Sequence, residues 1–163
     1  MPKEKQFFSF AKAYLEASSK LCKNFDESDE ELGYPSACVV LFLAHHAVEL
    51  FLKGAILNRS PDEKFHLRIE ELKETFDRLY PEVDLSWDMP FRTEYLGFSP
   101  EEREKAKKDK EPVDQVYRYP TDKERQQWQG IYAFEPASFQ KTIESLLSDF
   151  TRLELAIDAA NKR

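Results

Sequence analysis

The sequence predicts an all-α fold: an antiparallel four-helix (up-and-down) bundle with a long elaborated connection between the third and last core helices. Four segments place apolar residues at helical spacing, and we identify no segment as a strand. Only four of the 163 residues are glycine, and 41% are apolar. A chain of this length and composition buries one core, so we expect residues 1–163 to form a single domain.

The first two predicted helices cover about residues 3–24 and 35–58. In the first, apolar side chains recur near helical spacing with lysine and glutamate between them, which is typical of an amphipathic helix on a core. The second begins at Pro35, which suits a first helical turn, and ends before Ser60 and Pro61. Because the second is apolar over most of its circumference, we expect it to be mostly buried.

The other two predicted core helices cover about residues 67–79 and 136–160. The last one has the clearest pattern in the chain, because its apolar residues alternate steps of four and three along one narrow stripe. The members of this stripe are Phe139, Ile143, Leu146, Phe150, Leu153, Ile157 and Ala160.

Between these two helices, residues 81–135 form a predicted irregular insert. It holds five of the nine prolines and both tryptophans, Trp87 and Trp128, which we interpret as anchors of the connection. Within the insert, Ser99 followed by Pro100 and a glutamate predicts a capped helix that is polar all round and therefore solvated.

The composition limits the possible partners and locations. With 24 basic against 31 acidic residues, the formal charge is −7, so we expect no non-specific binding to DNA or long RNA. Cys22 and Cys38 lie in apolar stretches without metal-ligand spacing, which predicts buried free thiols. The longest apolar run, residues 37–44, is too short for a membrane span, and the N-terminus lacks the core of a signal peptide. The predicted location is therefore the cytoplasm.

The second helix carries four polar side chains within one arc. With His45 at 0° on an ideal helix, Glu49, Lys53 and His46 fall at about 40°, 80° and 100°. A solvated face is the simplest interpretation, but four polar groups are few for a helix of this length. We therefore favour a mostly buried polar stripe whose members pair with one another. Glu49 and Lys53 stand at i and i+4, in the order that favours an ion pair.

A metal site built from His46, Glu49 and His66 is the alternative for this stripe. Such a site needs three converging ligands, and Lys53 would place a positive charge beside the ion. We therefore predict that the chain binds no metal and no other cofactor.

Three segments resemble the HEPN domains, small helical bundles of bacteria and archaea. Their pattern Ala-x-Glu-x-x-Leu-Lys-(Ala/Gly)-x-Leu is matched in the second helix, a His-Asp-Leu element that opens the next helix is matched in part, and an Arg-Tyr-Pro element follows later. The matching residues are Ala47, Glu49, Leu52, Lys53, Gly54 and Leu57, then His66 and Leu67, then Arg118, Tyr119 and Pro120.

The resemblance implies two functional branches. One comprises metal-independent RNases, often toxins, that use an Arg-x(4–6)-His motif, and Arg59 and His66 have this spacing. The other lacks the motif and is thought to bind nucleotides or to partner small nucleotidyltransferases. Because Arg59 lies at a helix end and His66 beyond a loop, we interpret their spacing as accidental and expect a non-catalytic module. A toxin-type endoribonuclease that uses Arg59 and His66 is the alternative.

Arg118 lies between two tyrosines, an arrangement that suits a nucleotide because a guanidinium can hold a phosphate beside aromatic faces. The alternative is an extended segment across the bundle in which the tyrosines fill gaps and Arg118 pairs with an acid. The candidate ligand-binding or polar-core residues are therefore His45, His46, Glu49, Lys53, Arg118 and Tyr119.

The apolar content also predicts an assembly. The second helix is apolar over most of its circumference and the last helix carries leucines off its stripe, which is more apolar surface than four helices around one core can hide. The resemblance implies frequent dimers. We therefore expect a homodimer that uses a face of the second or last helix, with two copies of the polar stripe or of Arg118 near a shared cleft.

Overall fold

The computed structural model of the chain describes residues 1–28, 33–91, 98–109, 113–127 and 134–162. Within these ranges the fold is all-helical, as predicted, and its extended pairing is limited to one isolated bridge between Thr121 and Gln127. The helices are α1 (Lys3–Glu27), α2 (Tyr34–Arg59), α3 (Ile69–Leu79), α4 (Pro100–Asp109), α5 (Val113–Arg118) and α6 (Pro136–Ala160). The sequence did not predict α5, because six residues are too few to show a helical period.

α2 lies at the centre of the core and packs against α1 in the antiparallel sense. Near the start of α1, the ring of Phe8 lies 5.0 Å from the ring of Phe51, in the second half of α2. Further along α1, the Ser18 hydroxyl donates to the carbonyl oxygen of Val40, in the first half of α2, at 2.9 Å. The two helices therefore run in opposite directions along their whole contact.

α6 packs against both α1 and α2. The Nζ of Lys5 lies 2.6 Å from a carboxylate oxygen of Asp158 at one end, and the Cys22 thiol donates to the carbonyl oxygen of Pro136 at the other. These contacts make α6 antiparallel to α1. The predicted stripe of α6 forms much of the core, since five of its seven members are buried, namely Ile143, Leu146, Phe150, Leu153 and Ile157.

α3 runs along α2 in the same direction, which does not fit the predicted up-and-down order. Tyr80, directly after α3, donates its hydroxyl to the carbonyl oxygen of Ala55 at 2.8 Å. At the start of α3, Glu70 lies close enough to His45 for its charge to raise that pKa. Ala55 follows His45 by ten residues on α2, and Tyr80 follows Glu70 by ten residues along α3. The two helices therefore run side by side in the same direction for about 15 Å. Residues 60–68 permit this, because nine extended residues can span about 30 Å back along α2.

Three side chains of residues 85–89 belong to the core, although the sequence placed this segment in an irregular insert. Leu85, Trp87 and Met89 are buried, and Trp87 packs edge-on against the rings of Phe51 and Phe150 at 6.1 and 6.3 Å. The prediction that Trp87 is an anchor is therefore confirmed. Trp128 lies outside the described residues.

α4 has the predicted capped start and the predicted solvated surface. The backbone amide of Ser99 donates to the carboxylate of Glu102 at 2.7 Å, and the Glu102 amide donates to the Ser99 hydroxyl at 3.2 Å. This reciprocal capping box satisfies two amides that the first turn would leave without partners. Most described side chains of α4 are exposed, and Lys107 is the buried exception among them.

Among the described helices, α2 is the one that is long and apolar enough to cross a membrane. By length and composition α2 passes this test, because only Glu49 and Lys53 carry charge between Tyr34 and Asn58. However, 56% of the most apolar 18-residue window of α2 is buried inside the protein, and the core helix of a soluble protein passes the same test. The expectation that no segment spans a membrane stays a prediction. The cytoplasmic location stays a prediction.

Candidate functional site

α5 brings Arg118 to the polar stripe of α2. The guanidinium carbon of Arg118 lies 5.8 Å from the ring centroid of Phe42 and 5.4 Å from that of Tyr119. Phe42 stacks on the ring of His46, with centroids 5.7 Å apart and planes 9° apart. We call this surface the α2/α5 site and define it by Phe42, His46, Glu49, Lys53, Asp114 and Arg118. Two groups of residues that the sequence singled out separately therefore share one surface.

Glu49 is held as a carboxylate at this site. Its Oε1 accepts a hydrogen bond from Lys53 Nζ at 2.5 Å, and its Oε2 lies 3.3 Å from His46 Nδ1. Burial by itself would raise the pKa of Glu49, but the hydrogen bonds from His46 and Lys53 outweigh it and lower that pKa from 4.5 to about 2. The predicted pairing of Glu49 with Lys53 is confirmed. An acid that is fully ionised at neutral pH supplies a fixed charge rather than an exchangeable proton.

His45 is separated from the other three members of the polar stripe. Its side chain is buried at 4% exposure, between the rings of Phe91 at 5.3 Å and Tyr117 at 6.2 Å. Burial lowers the pKa of His45, and the opposing effect of nearby carboxylates, Asp114 first, offsets only part of this. Within the described residues its Nδ1 has no hydrogen-bond partner. His45 is therefore a neutral ring on which α5 packs.

Arg118 is partly exposed and is held by weak contacts. Its Nη1 lies 3.5 Å from Asp114 Oδ2, one turn earlier in α5, and its Nη2 donates to the Tyr119 hydroxyl at 3.5 Å. The interpretation that Arg118 pairs with an acid is therefore confirmed, although the segment is helical rather than extended. A guanidinium has five N–H donors, so with respect to the described residues these two long contacts leave most of its donor capacity open to a ligand.

Arg59 and His66 bind separate carboxylates. The Nη2 of Arg59 lies 3.2 Å from Glu82 Oε1, and its guanidinium carbon lies 5.1 Å from the Tyr80 ring. His66 Nδ1 lies 3.6 Å from Glu71 Oε2. His66 also lines an open cleft of about 410 Å³ between α3 and α4, and Arg59 is not among the described residues that line it. The arrangement does not aim the two side chains at one phosphate, as an Arg-and-His mechanism requires.

The three side chains of the alternative metal site do not form one cluster. His46 and Glu49 are neighbours on α2, whereas His66 pairs with Glu71 on α3. Across the part of the chain that the structure describes, no group of three His, Cys, Asp or Glu side chains is arranged to hold a metal ion.

Two members of the α2/α5 site were missed in the sequence. Asp114 stands four residues before Arg118, and this i, i+4 spacing could have signalled their pairing if the segment had been read as a helix. Phe42 falls at about 60° in the same arc, four residues before His46, so helix spacing placed it beside the polar stripe, but its approach to Arg118 carried no signal.

Comparison of the chain with protein-family models, with curated proteins and with solved structures finds no match. The resemblance to HEPN domains stays a sequence-based interpretation.

Proposed function

We propose that the chain is a HEPN-like helical module that binds a nucleotide at the α2/α5 site and does not act on it as an enzyme. The observation that carries this proposal is the position of Arg118. Its guanidinium lies beside two aromatic rings, Phe42 and Tyr119. Phe42 in turn stacks on His46, which binds Glu49 of the polar stripe.

Each part of a nucleotide finds a matching group at this surface. Arg118 can donate two parallel hydrogen bonds to a phosphate, which is the geometry for which a planar guanidinium is best suited. The rings of Phe42 and Tyr119 offer faces for a base, and stacking of one base on an aromatic side chain contributes about 1–3 kcal/mol. The ionised carboxylate of Glu49 can accept a hydrogen bond from a sugar hydroxyl.

One member of this surface, Glu49, is a poor group for acid–base catalysis. A general acid or base works best when its pKa lies near the working pH. The pKa of Glu49 is about 2, because His46 and Lys53 hold it as a carboxylate. This property favours recognition over reaction at Glu49.

The proposal is tested by titrating the protein calorimetrically with AMP, ATP and inorganic phosphate. We expect AMP and ATP to bind, and Arg118→Ala to weaken them at least tenfold, because a hydrogen bond to a charged group contributes about 1.5–3 kcal/mol. Arg78→Ala is the matched control, since Arg78 is also roughly half exposed and also paired with one carboxylate. Equal affinity for the two variants, or no binding of any probe to the wild type, would refute the proposal.

The endoribonuclease alternative has a separate test. Single-stranded RNA is incubated with the wild type and with the Arg59→Ala and His66→Ala variants, and the products are separated on a gel. We expect no cleavage above the buffer control in any sample. Cleavage by the wild type that disappears in both variants would establish the RNase and overturn the non-catalytic module.

A further inference from the structure

His45 lies at the contact between α2 and α5 as a buried ring whose Nδ1 lacks a polar partner. Its side chain is 4% exposed, and across the described part of the chain this nitrogen makes no hydrogen bond. The rings of Phe91 and Tyr117 surround it edge-on. Such surroundings suit a neutral imidazole better than an imidazolium, because the charged form has two N–H donors and a charge that all need partners or water.

The titratable groups around His45 come from three helices, and they do not offset the cost of its burial. They are Asp114 and Tyr117 of α5, Glu70 of α3, and Glu49 and His46 of α2. Asp114 and Glu49, the two carboxylates with the largest effect, are each already paired with a cation of their own helix. Burial therefore outweighs them and lowers the pKa of His45 as long as α5 is docked on α2.

α5 is a short helix with little buried surface to hold it in place. It has six residues, and none of its described side chains, from Asp114 to Arg118, is fully buried. A helix of this length is not stable by itself in water, so it depends on its contact with α2. Segments with few buried contacts open locally at a low cost in free energy, while the rest of the protein stays folded.

Phe91, which packs on His45, has a strained backbone. Its φ is 68°, in the left-handed region that bulky residues avoid. The rings of His45, Tyr117 and Phe139 lie between 5.3 and 6.3 Å from its own ring. A strained conformation persists only while the surrounding contacts enforce it. Loss of the contact with Tyr117 of α5 would therefore relieve strain as well as remove packing.

We propose that protonation of His45 releases α5 from α2, so that this contact is a pH-sensitive latch. With α5 docked, a proton on Nδ1 has no acceptor among the described residues, whereas water solvates the imidazolium once α5 has moved away. The open form therefore binds more protons than the docked form, and its population rises as the pH falls below about 6.5. The ratio of open to docked protein increases by up to about tenfold per pH unit in this range.

The latch also moves Arg118, which lies on α5. In the docked form its guanidinium carbon lies 5.8 Å from the ring centroid of Phe42, and opening of the latch separates the two. The affinity of the α2/α5 site for a nucleotide should therefore fall as the pH drops below about 6.5. Only this consequence rests on the proposed function.

Nuclear magnetic resonance of the ligand-free chain tests the latch, so its outcome is independent of nucleotide binding. From about pH 7.5 to about pH 5, we expect the amides of residues 114–118 to move toward the shifts of an unstructured chain, with the same midpoint as the His45 ring. His45→Gln and His45→Phe should abolish this movement, because neither new side chain titrates in this range. His66→Gln is the matched control and should retain it, since His66 pairs with Glu71 of α3 rather than with α5.

Circular dichroism of each variant establishes that the helices are retained, and His45→Phe keeps a ring at this position if glutamine disturbs the packing. Amides of residues 114–118 that stay in place while the His45 ring titrates would overturn the proposal. The same holds if these amides move equally in His45→Phe, or if His45 stays neutral and α5 stays docked down to about pH 5.

Discussion

Replacing Lys53 by methionine should destabilise the fold by about 1–2 kcal/mol. The pKa of Glu49 falls from 4.5 to about 2 in the folded protein, which corresponds to about 3 kcal/mol in favour of the charged form. This value is an upper bound for the contribution of Lys53 to the free energy of unfolding. His46 shares the carboxylate, and Glu49 and Lys53 each keep about a fifth of their side-chain surface in water. Lys53→Met leaves the mostly buried Glu49 carboxylate with His46 as its remaining partner.

The double variant Glu49→Gln with Lys53→Met separates the ion pair from the effect of each side chain alone. With the carboxylate gone, methionine at position 53 no longer leaves a charge without its partner, so the double variant should recover about half of the lost stability. Urea unfolding followed by circular dichroism measures the free energy of unfolding for the wild type, for Glu49→Gln and Lys53→Met alone, and for the double variant. If the two single losses add within about 0.5 kcal/mol, the side chains do not interact and the α2 polar stripe is wrongly described.

Two further predictions follow from the core. The folded protein holds His45 with a lowered pKa, so the unfolded chain binds more protons as the pH falls below the ordinary value of 6.5. The free energy of unfolding should therefore decrease as the pH drops below about 6.5, and His45→Gln should reduce this dependence in urea unfolding. An unchanged pH dependence in His45→Gln would contradict the burial of His45. Gly54→Ala should lower the free energy of unfolding by about 1–2 kcal/mol, despite the better helix propensity of alanine. A Cβ at this position would lie 2.8 Å from the Cβ of Phe7, whereas Gly33→Ala, with its nearest contact at 3.6 Å, should be nearly neutral.

The sequence predicted which segments are helical but not how all of them are directed. The steps of three and four in α6 correctly identified its buried side, because the period of a pattern follows the face that meets the core. The direction of α3 is set by residues 60–68, which run back along α2, and a hydrophobic period contains no information on direction. Residues 81–91 were assigned to the insert because of their prolines, and the alternation of apolar residues from Val83 to Phe91 was not recognised, although Leu85, Trp87 and Met89 of this alternation fill the core.

The candidate site was predicted in part for a similar reason. The Glu49 and Lys53 pair follows from helix spacing alone, which is a local property of α2. The approach of Arg118 to Phe42 is a long-range contact that depends on where α5 packs. The ideal-helix arc also grouped His45 with the other polar side chains, whereas the packing of α5 covers His45 and leaves His46 at the surface.

The most direct test of nucleotide binding at the α2/α5 site is a nuclear magnetic resonance titration of the isotope-labelled chain with AMP. We expect the backbone amides of Phe42, His46 and Arg118, and the side-chain N–H of Arg118, to shift with one common saturation curve. Unchanged spectra at millimolar AMP, or shifts confined to the cleft around His66 and Arg78, would contradict this account.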